Sequence, residues 1–157
     1  MEKLIYSTAE IVESLEKIID DGGAVSLVVT GNSMSPFLKE GRDTVILEKC
    51  TERDFTRGKI LLFKRENGAI VLHRVRKVLS DDKLEMNGDA QYWCETVEKS
   101  QVIGAVRKIF RDGKELPCTK NTLWHILKPL RPIIFGVKRK FLEIRSNTNG
   151  ETDRNNA

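Results

Sequence analysis

The chain has 157 residues, enough for one domain with a modest core and a tail. Charged residues make up 32% and hydrophobic ones 39%, a balance expected of a soluble protein with a polar surface. The net charge of +4 is mild but uneven: Lys120, Lys128, Arg131, Lys138, Arg139, Lys140 and Arg145 face only Glu143 in 120–145, so the rest of the chain is slightly acidic. No window approaches the roughly 18 apolar residues needed to span a bilayer. The opening Met1-Glu2-Lys3-Leu4-Ile5-Tyr6 lacks the apolar core of a secretory signal. Three cysteines, Cys50, Cys94 and Cys118, are an odd number without C-x-x-C spacing. They exclude a disulfide framework and a cysteine zinc site, and they suit a reducing, cytoplasmic setting. No metal and no cofactor is expected.

Residues 8–20 read as a helix. Ile11, Val12, Leu15, Ile18 and Ile19 form one apolar stripe. Ser7 and Glu10 have capping-box spacing, and Gly22-Gly23 stops the helix. One such helix, short and acidic, does not make a helix-turn-helix. From 24 to about 109 the pattern turns to strands: 25–29, 44–47, 60–63, 70–78, 84–86 and 102–110. Asn67-Gly68 between two β-rich runs predicts a hairpin. Residues 87–98 read as a loop, and Asp112-Gly113 as a further turn. A leading helix followed by many short strands at hairpin spacing predicts a mainly β fold, a coiled sheet or a barrel.

Polar residues stand at four places where a plain strand or turn does not require them. Ser33 lies in Gly31-Asn32-Ser33-Met34-Ser35-Pro36, where a Gly-Asn pair bends the chain after a strand and Pro36 fixes the backbone. His73 interrupts the apolar run Ile70-Val71-Leu72. Asp89 lies in the turn Asn87-Gly88-Asp89-Ala90, and Asp43 follows Gly41-Arg42. A serine hydroxyl is a weak nucleophile at neutral pH. It needs a base within hydrogen-bond reach and gains from a third group that orients the base. Histidine, with an ordinary pKa of about 6.5, suits the base role. The other histidine, His125, lies in the basic segment beside Trp124.

The order of these motifs resembles the signal peptidase and LexA-type serine peptidase superfamily over residues 25–110. Ser33-Met34-Ser35-Pro36 matches its Ser-Met-x-Pro. Gly41-Arg42-Asp43-Thr44-Val45 is similar to its Gly-Asp turn with one residue inserted, and Arg57-Gly58-Lys59-Ile60-Leu61 to its Arg-Gly-Asp-Ile turn, with Lys59 in place of aspartate. Leu72-His73-Arg74-Val75 looks like the histidine version of the base strand, as in the endoplasmic-reticulum type. Gly88-Asp89, with Glu95 a few positions on, matches the last Gly-Asp turn, and Val102-Ile103-Gly104-Ala105-Val106 the final core strand. The resemblance implies Ser33 as nucleophile, His73 as general base, and Asp89 orienting His73 or supporting the site. It implies the Ser33 N–H as an oxyanion donor. Asn32 and Met34 are the substrate-binding or oxyanion candidates. Some signal peptidases have a hydroxyl donor at the position of Gly31, which Asn32 would have to replace; Met34 would line the cleft or pack beneath it.

The sequence is expected to lack the membrane anchors of signal peptidases, the DNA-binding domain of LexA-type repressors and the large accessory β-domain of bacterial signal peptidases. It is similar to the small stand-alone bacterial members. The expected organisation is a peptidase-like β domain at 1–118, a basic, apolar, partly helical segment at 119–145, and a polar tail at 146–157. The expected function is a serine endopeptidase cleaving a leader or precursor peptide after small residues. The alternative is a weak or inactive peptidase fold kept as a binding or regulatory module; a self-cleaving regulator ranks below both. Residues 122–145 either pack on the domain or contact an anionic membrane from its cytoplasmic face, since Leu127, Leu130, Ile134, Val137 and Phe141 share a helical face and Pro129 and Pro132 interrupt it. Nucleic acid is not the expected partner.

Overall fold

In a computed structural model of the chain, residues 8–117 are described. The expected segments 119–145 and 146–157, and Ser7 of the expected helix cap, lie outside the described residues. Helix α1 is Thr8–Asp20. Of its five-residue stripe, Val12, Leu15 and Ile19 are buried, while Ile11 and Ile18 remain exposed on its flanks. The glycine pair ends it: Gly23 N–H donates to the Ile18 carbonyl at 2.8 Å, with Gly22 at φ +83°.

Eight strands follow: β1 (Val25–Val28), β2 (Asp43–Glu48), β3 (Ile60–Lys64), β4 (Ile70–Val78), β5 (Lys83–Asn87), β6 (Glu95–Glu98), β7 (Val102–Arg111) and β8 (Lys114–Leu116). They form one antiparallel sheet in the order β1-β2-β7-β3-β4-β5-β6, with β8 folded back on β7. The fold is mainly β with one described helix. The barrel alternative does not hold: the sheet is open, ending at the short strands β1 and β6. Register shifts after Ile46, Leu62 and Val75 mark bulges, which bend and coil a sheet without having to close it. The loop expected over 87–98 also needs correction, because its last four residues pair with β5 as β6. The Asn67-Gly68 hairpin forms between β3 and β4, with Gly68 at φ +81° and Arg65 N–H donating to Ala69 O at 2.9 Å.

Strand β3 is buried on both faces, which accounts for its unbroken apolar run. Ile60 and Leu62 join Leu15, Ile19, Met34, Leu38 and Val45 under α1. Leu61 and Phe63 join Val75, Leu84, Met86 and Val97 on the opposite face.

Asp43 proves to be an anchor of the framework. Its side chain is fully buried, 0% exposed. It accepts hydrogen bonds from Arg111 Nε at 2.8 Å, Arg42 Nη2 at 2.7 Å and the Lys39 N–H at 2.8 Å. Arg111 also donates to the Phe37 carbonyl at 2.8 Å, so this cluster ties the segment after Ser33 to β7. Burial opposes ionisation of Asp43, but the bonds from Arg42, Arg111 and Lys39 outweigh it and hold the carboxyl well below the usual carboxylate range. The folded state therefore binds this proton less readily than the unfolded chain. The stabilisation is full above the unfolded value of about 3.9 and is lost as pH falls towards the folded one. Asp43→Ala should destabilise the domain by about 2 kcal/mol, since it removes the buried acceptor that joins the Lys39 N–H to the partly exposed Arg42 and Arg111. Urea unfolding should show this at pH 7, with the gap between variant and wild type closing as the pH is lowered below about 4.

Candidate active site

After β1 the chain turns through the Ser33 segment. Gly31 takes φ +74°, which a side chain would resist, and Ser35-Pro36 is cis. Ser35 N–H donates to Asn32 O at 3.0 Å and Leu38 N–H to Met34 O at 2.9 Å. Val29 before the turn and Met34 and Leu38 after Ser33 lie in the same core cluster as Leu15 and Ile19 of α1, which anchors the chain on both sides of a half-buried Ser33. The turn also docks on 88–91: the Ser33 carbonyl accepts from Ala90 N–H at 2.7 Å. Gly88 permits the approach, since a Cβ there would stand 2.7 Å from Ser33 O and 2.8 Å from Gln91 Oε1.

His73 sits in β4 opposite Leu61 of β3, one residue before pairing with β5 begins at Arg74. It is 1% exposed. The ring lies 5.9 Å from Phe63 and 6.3 Å, edge-on, from Trp93. Nδ1 stands 2.8 Å from Glu95 Oε1, but out of line for a hydrogen bond, so neither ring nitrogen has an aligned partner among the described residues. The contact is close and electrostatic. Glu95 is itself fixed by Arg65, whose Nε and Nη2 donate to its two oxygens at 2.7 Å each.

Ser33 and His73 line the same cleft, of about 520 Å³. Its walls are largely aliphatic, with Leu27, Met34, Val45, Leu62 and Leu72 among them; Arg65 and Gln91 are polar members. Asp89 does not lie on His73. It is buried, 1% exposed, and paired with Arg74, which donates from Nε to Oδ1 at 3.0 Å and from Nη2 to Oδ2 at 2.7 Å. The carboxylate beside His73 is Glu95. Met34 lines the cleft from a buried position, while Asn32 is exposed and outside the cleft wall. Lys59 stands 3.7 Å from Asp54, away from Ser33 and His73 in the Asp54–Arg107 cluster. Sequence reasoning noticed Glu95 only as a trailing acid, and it missed Arg65 and Trp93, for which no local motif exists. Among the described residues no group of three His, Cys, Asp or Glu is placed to hold a metal ion, and no helix is long and apolar enough to cross a membrane.

The electrostatics favour a neutral imidazole. Burial pushes the His73 pKa down, the Glu95 carboxylate pulls it up, and the Arg65 guanidinium pushes it down again; burial and Arg65 win, so it lies below 6.5. A hydroxyl and a neutral imidazole on one cleft, with a carboxylate 2.8 Å from the ring's Nδ1, are groups that nucleophilic acyl transfer can use. No family model matches the chain, and no curated protein matches its sequence.

Because the folded imidazole resists protonation, its contribution to stability is complete above the ordinary value of about 6.5 and declines as pH falls through it. Ring-proton NMR of the native protein should place the His73 midpoint below that of a free histidine. Glu95→Gln should move it lower still, since the group that supports the imidazolium is gone; an upward move would contradict the arrangement described.

Proposed function

We propose that the chain is a serine endopeptidase of the signal-peptidase and LexA type, with a sheet of that coiled class, acting through Ser33 and His73. The observation that carries this reading is that two side chains remote in sequence line one cleft, and that the imidazole has a fixed carboxylate at Nδ1. Ser33 Oγ attacks the carbonyl carbon of the scissile peptide bond while His73 Nε2 takes its proton. The C–N bond then breaks, the imidazolium returns the proton to the departing amine, and an acyl-Ser33 ester remains. Water, deprotonated by the same imidazole, hydrolyses the ester. The Ser33 N–H serves as an oxyanion donor, and Gly31 contributes no hydroxyl. Glu95 is the residue that supports the imidazolium, a role the sequence motif suggested for Asp89.

An extended peptide has a place to lie. Strand β1 has β2 on one side and no described strand on the other. Residues 70–73 of β4 pair with β3 only, because β5 pairing starts at Arg74. Both free edges border the cleft, so each offers backbone donors and acceptors to a substrate strand. A leader or precursor peptide, met in the cytoplasm or at the cytoplasmic face of a membrane, fits this reading. The binding or regulatory module is the second reading; it is favoured by the depth of His73 beneath Trp93 and by Gly31.

Wild-type protein incubated with a mixed peptide library should yield new termini by mass spectrometry. Ser33→Ala and His73→Ala should each lower cleavage by about 10³-fold or more, with far-UV spectra unchanged. Normal cleavage by folded Ser33→Ala would sink the proposal. Peptide retention without cleavage by the wild type would favour the binding module.

A further inference from the structure

The geometry points to Arg65 as a positioning residue for the His73 base, acting through Glu95. This rests on the serine-peptidase reading of the same cleft. Arg65 follows β3 at the start of the β3–β4 hairpin, and the turn holds its backbone at both ends: N–H to Ala69 O and C=O from Gly68 N–H, each 2.9 Å. From this anchored point the guanidinium grips Glu95 with two parallel bonds of 2.7 Å. It also lies 5.7 Å from the centre of the Trp93 ring. Trp93 in turn meets His73 edge-on, so Arg65, Trp93 and Glu95 enclose one side of the imidazole.

The clamp decides where one oxygen stands. A carboxylate on a short strand such as β6 can turn about its side-chain bonds and leave the imidazole. Arg65 occupies one direction at each Glu95 oxygen and so holds Oε1 2.8 Å from His73 Nδ1. When Nε2 takes the Ser33 proton, the Nδ1–H has a fixed acceptor. A lysine would keep the charge but not the fork. The charges facing His73 are Glu95 from β6, Arg65 from the hairpin and Asp89 from the turn after β5, which Arg74 already neutralises. Burial is the main influence against protonation of the ring, and of these charges Arg65 alone adds to it.

Two variants of the full chain separate position from charge. Hydrolysis of p-nitrophenyl acetate, corrected with Ser33→Ala as blank, reports acyl transfer. Ring-proton NMR reports the His73 midpoint, with His73→Gln distinguishing it from His125. Arg65→Lys should lower kcat roughly ten-fold with KM little changed and the midpoint close to wild type. Arg65→Gln should lower kcat at least as much and raise the midpoint, moving the acid limb of the rate profile upward. Folded variants with unchanged rate and midpoint would overturn the assignment. If Arg65→Gln fails to fold, Arg65→Lys decides alone: an unchanged kcat overturns the proposal and a reduced one supports it. If no form of the protein hydrolyses the ester, the peptidase reading fails on its own terms. The midpoint in Arg65→Gln then decides whether Arg65 is coupled to His73.

Discussion

The site depends on one buried ion pair. Arg74 and Asp89 are 4% and 1% exposed, and each is the immediate neighbour of a residue that matters: His73 precedes Arg74, and Gly88 and Ala90 flank Asp89. The Ala90 N–H holds the Ser33 carbonyl, and Gly88 lets that turn come close. The pair therefore links the strand that carries His73 to the turn that holds Ser33. A buried ion pair of this kind adds little net stability, because desolvating two charges offsets most of their attraction. Its contribution is geometric, since any other docking of 87–91 on β4 would leave two charges buried and unpaired. Arg74 also donates to the Gly58 carbonyl at 2.8 Å, which ties the turn before β3 into the same framework.

That pair also bears on the two roles open to Asp89. The resemblance had it orienting His73 or supporting the site, and the structure pairs it with Arg74, the next residue along. In a strand, successive side chains point to opposite faces, so His73 and Arg74 look in different directions. Which of them meets a Gly-Asp turn depends on the face that turn approaches, and no spacing encodes it. Glu95 was harder still. Its partners Arg65 and His73 lie on the β3–β4 hairpin, and they meet only because β6 adds to β5 at the end of the sheet. Strand β6 is Glu-Thr-Val-Glu, with Val97 its only aliphatic residue, and its β character comes from the ladder with β5 rather than from its own propensity.

Features encoded locally were legible. The helix spans the expected 8–20 because the stripe and the glycine stop are local signals. The strand at 70–78 and the Asn67-Gly68 hairpin are local in the same sense. The order of strands is not local: β7 lies between β2 and β3, inserted after both have formed part of the chain. Its register, shifting at Ile46 against β2 and at Leu62 against β3, is not set by any local residue pattern. For the same reason alternating strands could not distinguish a barrel from an open sheet.

At His73 three influences compete, and their balance decides what the ring can do. The carboxylate of Glu95 would favour an imidazolium, but its charge is largely cancelled by the guanidinium that binds it. What remains is desolvation, from Phe63 on one side, Trp93 on another and the sheet beneath. Arginine and glutamate together give the ring a fixed carboxylate with little net field. Trp93, half exposed at 50%, is the outermost part of this enclosure. A substrate strand laid along 70–73 would cover the same region, excluding more water and strengthening every charge interaction within it. On the peptidase reading, the ring is neutral before a peptide arrives, and covering the cleft would strengthen its interaction with Glu95.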